Sequence, residues 1–397
     1  MTNEELIRVS QEVLTQNYGR FPIVLVKGEG CRVWDVEGKE YLDFVAGIGV
    51  CNLGHCYPKV VQAIREQAEK LLHVSNLYHI EPQIQLARIL VEHSFADRVF
   101  FCNSGTEANE AAIKLARKYS QDKFGSGRHE IISLLKSFHG RTLGALAATG
   151  QEKFHKGFEP LLPGFKFVPQ DDISAMEAAI SASTCAVLVE PIQAEGGVNL
   201  PAENYLRELK RLCERGKILL IYDEVQVGMG RTGKLFAYEH YGAPPDILTM
   251  AKGLAGGVPI GAMLATEKVA QSFTPGTHAA TFGGNPLATA AGVAALRATL
   301  EDGVLENCRK VSSHFLQRLQ VLKNKYSFVK EVRGKGLMIG LELAREGKSV
   351  VQECLQRGFL INCTNETVLR FIPPLIITTK EIDRLVQALD EILATWK

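Results

Sequence analysis

No apolar run in this chain approaches the ~20 residues needed to cross a bilayer, which excludes a membrane-spanning helix at the level of sequence. Charge of one sign is also missing. Lys and Arg total 45 against 44 Asp and Glu, leaving +1 and no basic block, so neither nucleic acid nor an anionic membrane is an expected partner. The start, Met1-Thr2-Asn3-Glu4-Glu5, lacks the basic and apolar regions of a signal peptide, and a cytoplasmic location is expected. The nine cysteines are scattered and odd in number, with several in apolar contexts such as Phe101-Cys102, and they read as reduced core thiols. Cys51, His55 and Cys56 faintly resemble a metal cluster, but no second pair with zinc-like spacing follows, and no metal is expected.

What is present is length and alternation. A chain of 397 residues exceeds the usual single-domain size, so two domains are expected. Apolar, β-rich runs at Arg98–Cys102, Glu130–Leu135, Lys166–Pro169, Cys185–Glu190, Ile218–Val225, Asp246–Met250 and Ile260–Thr266 alternate with helical patterns. Those patterns cover Thr106–Ser120, Ile173–Ser181, Asn204–Arg215 and Gly233–Tyr241. The alternation predicts an α/β fold with a large, mostly parallel sheet covered on both faces. Short strands at Ile23–Lys27, Arg32–Val36 and Tyr41–Phe44 precede it. Helices over 287–301 and 303–325, strands around Val329–Leu343 and Val368–Ile377, and a last helix at Lys380–Trp396 follow it. The expected division is a large domain over 50–290 and a smaller α+β domain built from 1–49 and 291–397.

Two charges stand out by their places. Lys252 follows the apolar run Ile247–Ala251 and precedes Gly253-Leu254-Ala255-Gly256-Gly257; Asp223 closes Ile218–Tyr222. Most lysines are solvated surface charges. A lysine that forms a Schiff base, and an aspartate that pairs with a pyridinium nitrogen, are what pyridoxal phosphate asks of its protein. Ser104-Gly105-Thr106, between a strand and a helix, offers free N–H groups to a phosphate, or equally an ordinary helix cap. Phe138 could stack on a flat cofactor and Arg141 could fork onto a carboxylate, or they are a core aromatic and a surface arginine. Arg370, between Leu369 and Phe371, would be costly to bury without a carboxylate partner, and Glu190 and Glu195 stand at and after a strand end. A competing enzyme class comes from Gly228-Met229-Gly230-Arg231-Thr232-Gly233, which has dinucleotide spacing after a strand and would suit a nicotinamide-dependent dehydrogenase. Asp223-Glu224, placing negative charge just before that loop, counts against it.

Taken together these segments resemble the class III (ω-amino acid) aminotransferases, pyridoxal-phosphate enzymes of fold type I. The resemblance spans nearly the whole chain, from Asn17-Tyr18-Gly19 through Leu53-Gly54-His55, Ser104–Glu110, Phe138–Thr142, Glu190–Glu195, Asp223–Gly233 and Lys252 to Thr281–Pro286 and Arg370–Pro374. It implies that Lys252 anchors the cofactor and moves the proton, and that Asp223 keeps the pyridine nitrogen protonated. Phe138 and Val225 would sandwich the ring, and Gln226 would touch its phenolic oxygen. Ser104, Gly105 and Thr106 would cradle the phosphate, with Glu224 nearby, while Thr281 would reach the phosphate of a neighbouring subunit in a homodimer. The resemblance also implies ping-pong transfer of an ω-amine to 2-oxoglutarate. Arg370 would bind the α-carboxylate of that acceptor, Glu195 would neutralise Arg370 while the ω-amine is bound, and Arg141 with Tyr18 would hold the donor's distant carboxylate. Ile48 stands where ornithine-acting members place a tyrosine, and Ala280 where many members have a hydroxyl beside the substrate.

Overall fold

The computed structural model describes residues 1–396. Its centre is a seven-stranded sheet in the order Arg98–Cys102, Gly261–Ala265, Ile247–Met250, Leu219–Asp223, Thr184–Val189, Glu130–Leu134, Phe165–Val168. Gly261–Ala265 runs antiparallel to both its neighbours, and the remaining pairings are parallel. The reversal follows from the short 3-10 turn Lys252–Ala255 and from Gly256 and Gly257, whose φ values of 59° and 123° bend the chain back. Every residue of Thr184–Val189, Leu219–Asp223 and Ile247–Met250 is buried, as strands covered on both faces require.

The helix Gly105–Phe124 starts where Ser104, in extended backbone, accepts the amide of Glu107. Its buried face is small-sided, with Ala108, Ala111, Ala112 and Ala116, which lets it lie close on the sheet. Outside this layer, Phe359–Leu360 joins the N-terminal strands as a parallel partner of Glu40–Asp43. Val329–Lys335, Met338–Leu343, Val368–Phe371 and Asn362–Thr364 form a second, antiparallel four-stranded sheet. Phe315 packs on Phe44 and Phe371 with ring centroids 5.9 and 5.3 Å apart, so both chain ends share one apolar cluster.

Two expected elements differ. Gly233–Tyr241 is not an α-helix: only Ala237–His240 coils, as a 3-10 turn. The carboxylate of Glu224 accepts the amides of Ala237 and Tyr238 at 2.6 and 2.7 Å, and that of Glu239 accepts Phe236, so side chains occupy donors a helix would use. The strand from Val368 ends at Phe371, because Pro373 and Pro374 supply no amide to a ladder. Helices Asn3–Val13, Pro58–Ala68, Glu81–Glu92 and Lys348–Gln356 were not singled out by pattern. Among the described residues no helix is long and apolar enough to cross a membrane.

Arg231 is fully buried and joins three distant segments. Its guanidinium donates to the carbonyls of Leu337 and Pro373 at 3.1 and 2.5 Å and to Asn52 Oδ1 at 2.6 Å. Burial lowers its pKa to about 10, and no carboxylate bonds to it among the described residues. Arg231→Ala should lower stability by about 3 kcal/mol or more, since it strands three buried acceptors. Urea denaturation midpoints measure this, and a loss under about 1 kcal/mol would contradict that role.

Candidate active site

The parallel strands deliver the chemistry at their carboxyl ends, where open α/β sheets bind ligands. Ser104, Gly105 and Thr106 follow Cys102; Phe138 and Arg141 follow Leu134; Glu190 and Glu195 follow Val189; Val225 and Gln226 follow Asp223; and Lys252 follows Met250. All of these, Asp223 included, line one cavity of about 410 Å³. Residues far apart in sequence thus meet in one place.

Lys252 adopts φ 44°, a left-handed conformation that a side chain with a Cβ takes at a cost of about 1–2 kcal/mol. Its amine makes no hydrogen bond among the described residues. Burial, helped by the positive charge of Arg370, brings its pKa down to about 8 against the opposing pull of Glu195, Asp223 and Glu190.

Asp223 is 4% exposed and held at both oxygens. Oδ2 accepts from Asn109 Nδ2 at 2.7 Å and lies 2.8 Å from His139 Nδ1, while Oδ1 accepts the amide of Val225 at 3.0 Å. Asn109 also donates to the carbonyl of His139 and accepts from Thr249, so the carboxylate cannot rotate freely. Glu190 is buried and accepts the amides of Phe138 and Ala194. Burial pushes its pKa up to about 7 against the pull of His139.

Glu195 and Arg370 form an ion pair at 2.6 Å, with Arg370 only 1% exposed. Gln226 closes a triangle, accepting from Arg370 at 2.8 Å and donating to Glu195 at 3.1 Å. Burial alone would raise the Glu195 pKa, but Arg370 and Lys252 overrule it and hold it at about 2. The pair is therefore ionised at any physiological pH.

Some expected site residues lie elsewhere. Glu224 does not line the cavity, because its carboxylate is spent on the amides of Ala237 and Tyr238. Gln226 does line the cavity, but its amide is engaged with Glu195 and Arg370. Tyr18 is 67% exposed and stacks with Arg20, while Ala280 and Thr281 sit on a surface segment outside the cavity. Gly228–Gly233 opens no helix, which removes the element a dinucleotide would need. His55 is committed to Asp43 at 2.7 Å, and no metal-holding group of His, Cys, Asp or Glu occurs among the described residues. Asn109, His139 and Phe154 were given no role from sequence. Asn109 stands three residues after Thr106 on the same helix, a spacing that could have marked it as facing the same way.

The residues fit pyridoxal phosphate. A Cβ on Gly105 would come within 2.6 Å of Val225, so only glycine leaves room there, at the start of a 20-residue helix whose first amides could receive a phosphate. The desolvated Lys252 amine suits an aldehyde, and the fixed Asp223 carboxylate suits a protonated ring nitrogen.

Comparison with known proteins agrees. The family profile described as aminotransferase class-III matches residues 13–393. The chain is similar to the acetylornithine aminotransferase of Caldanaerobacter subterraneus, 55% identical over 98% of this chain and 99% of the relative. It is 53% identical to that of Methanocaldococcus jannaschii over the full length of both. Among solved structures, the ornithine aminotransferase of Toxoplasma gondii superposes with a TM-score of 0.95 at 36% identity, covering 99% of this chain and 95% of that one. The acetylornithine aminotransferase of Elizabethkingia anophelis gives 0.90 at 34% identity, covering both chains fully. The chain belongs to the class III aminotransferases, pyridoxal-phosphate enzymes of fold type I.

Proposed function

We propose that this chain transfers the δ-amino group of N2-acetyl-L-ornithine to 2-oxoglutarate, giving N-acetylglutamate semialdehyde and glutamate, as a step of arginine biosynthesis. The observation that carries the two-substrate reading is the Glu195–Arg370 ion pair, 2.6 Å long, beside the Lys252 amine. The acyl-donor reading is supported by the names of the relatives and by the apolar Ile48.

When bound, pyridoxal phosphate supplies an aldehyde that takes up the amino group and a ring that accepts electrons as a proton leaves carbon. Lys252 holds it covalently. Once released, Lys252 Nζ would be the base that takes the proton from the amine-bearing carbon; a pKa near 8 leaves an appreciable minority of it neutral at physiological pH, far more than for a surface lysine. Asp223 keeps the ring nitrogen protonated by its negative charge. Phe138 and Val225 would flank the ring, and Ser104, Gly105 and Thr106 would hold the phosphate. Gln226, which bridges Glu195 and Arg370, would touch the ring's oxygen.

Arg370 is the carboxylate receptor for the acceptor. While an ω-amine is bound, Glu195 neutralises Arg370 and leaves the cavity without an unpaired cation. When 2-oxoglutarate enters, its carboxylate replaces Glu195 on the guanidinium. Arg141 receives the donor's distant carboxylate, and the family resemblance gives the exposed Tyr18 a part in holding it. A cytoplasmic homodimer is part of this reading: the exposed Thr281 would complete a neighbouring subunit's phosphate cradle, and Ala280 beside it would face that subunit's donor.

Single-turnover spectroscopy with N-acetylornithine, ornithine, N-succinylornithine and 4-aminobutyrate ranks the donors. N-acetylornithine should react with the highest rate per concentration; ornithine reacting as well would overturn the acyl assignment. Glu195→Gln should slow the ω-amine half-reaction by roughly tenfold or more relative to the glutamate half-reaction, the scale of a charged hydrogen bond. Equal slowing of both would refute the exchange at Arg370. In cofactor-free protein, acylation of Lys252 followed by mass spectrometry should reach half its maximum near pH 8, because the neutral amine is the nucleophile. Exposed lysines should follow at about 10.4. A Lys252 midpoint among them would show that its amine is solvated.

A further inference from the structure

Phe154 closes the short turn Glu152–Phe154 and is half-buried. Its ring lies against the Arg141 guanidinium, whose central carbon is 4.1 Å from the ring centroid. It also meets Phe138 edge-on at 5.8 Å, and Phe138 in turn lies 5.4 Å from the same guanidinium carbon. Two aromatic rings therefore corner one exposed arginine, and no acidic side chain pairs with it among the described residues. One of those rings, Phe138, lines the cofactor cavity; the other lines an adjoining cavity of about 1090 Å³, and Glu195 lines both.

The turn is fixed rather than loose. The Phe154 amide donates to Gln151 at 3.0 Å, and Gln151 Nε2 donates to the carbonyl of Ser137, next to Phe138. His155 Nε2 lies 3.0 and 2.7 Å from the carbonyls of Leu146 and Thr149. At the other end, the Arg141 amide donates to Thr106 Oγ1 at 3.2 Å. The backbone of Arg141 is thus tied to the phosphate cradle and its head group to an aromatic platform. A guanidinium stacked on a ring keeps its in-plane N–H fork free, and a planar fork is what a carboxylate accepts bidentately.

We infer that Phe154 is a positioning residue that sets donor specificity: its ring holds the Arg141 guanidinium in the plane that receives the donor's carboxylate. The inference rests on the carboxylate-binding role proposed for Arg141. An apolar spacer between two cavities would need only the bulk of Phe154, whereas a platform needs its π face.

The test is steady-state kinetics of the holoenzyme with N-acetylornithine and with N-acetyl-1,4-diaminobutane, the same donor without its carboxylate. Phe154→Leu keeps apolar bulk and should fold. It should raise KM for N-acetylornithine about fivefold, the upper scale of a cation–π contact at an exposed site, with little change in kcat. KM for the decarboxylated donor and for 2-oxoglutarate should stay within about twofold, well below the scale of that contact. Phe154→Tyr, which restores a π face, should bring KM back. Wild-type KM in Phe154→Leu, or an equal rise for both donors, would overturn the platform. Arg141→Ala separates the two readings: unchanged KM for N-acetylornithine there refutes the carboxylate role of Arg141 itself. A raised KM in Arg141→Ala with none in Phe154→Leu refutes only the role of Phe154.

Discussion

Lys252 stands where an ammonium is poorly hydrated, at the end of the fully buried strand Ile247–Met250 and beside the buried residues Gly253, Leu254 and Ala255. The cost of charging an amine there orders the rest of the site. Water is replaced by a set of opposed charges: Arg370 disfavours the ammonium, and Glu195, Asp223 and Glu190 favour it. The result is an amine with an appreciable neutral fraction at physiological pH rather than a fixed cation. A surface lysine would stay protonated and could serve neither as nucleophile nor as base. The left-handed backbone at Lys252 is a second cost, sustained because the strand before it and the glycine-flanked turn after it fix the path of the chain.

The same economy of placement explains the pairing of carboxylates with cations. Asp223 is held by Asn109, His139 and the Val225 amide, so it is rigid. Glu195 is held by Arg370 and Gln226, whose side chains can rearrange without moving a strand. One carboxylate thus belongs to a fixed part of the site and the other to an exchangeable part. In the function proposed, that difference would let a single cavity serve an ω-amine and an α-keto acid in turn. Arg231 supports both parts from behind, because it ties the loop after Asp223 to Leu337 and Pro373, close in sequence to Arg370.

The sheet was legible in the sequence because its central strands are uninterrupted apolar runs ending in a charge: Asp223 and Lys252 could be found without coordinates. Side-chain direction was harder to read. Asp223 and Glu224 are adjacent, yet one lines the cavity and the other turns to Ala237 and Tyr238, a consequence of alternation at a strand end. The helix expected over Gly233–Tyr241 failed for the same reason, since Glu224 took its donors. Asn109 and His139 contact Asp223 far along the chain, and Phe154 meets Phe138 and Arg141 across an intervening helix, which no local pattern encodes. Tyr18, Ala280 and Thr281 carry roles suggested by family resemblance that a single chain does not bring together. Arg231 looked like part of a phosphate-binding loop and is instead a buried tie between segments.

Reduction of the purified holoenzyme with borohydride, followed by peptide mass spectrometry, tests the anchoring role of Lys252 most directly. Lys252 as the covalent anchor requires loss of the yellow absorbance and a pyridoxyl adduct on the peptide that contains it. A stable adduct on any other lysine, or none on a yellow protein, would contradict that assignment.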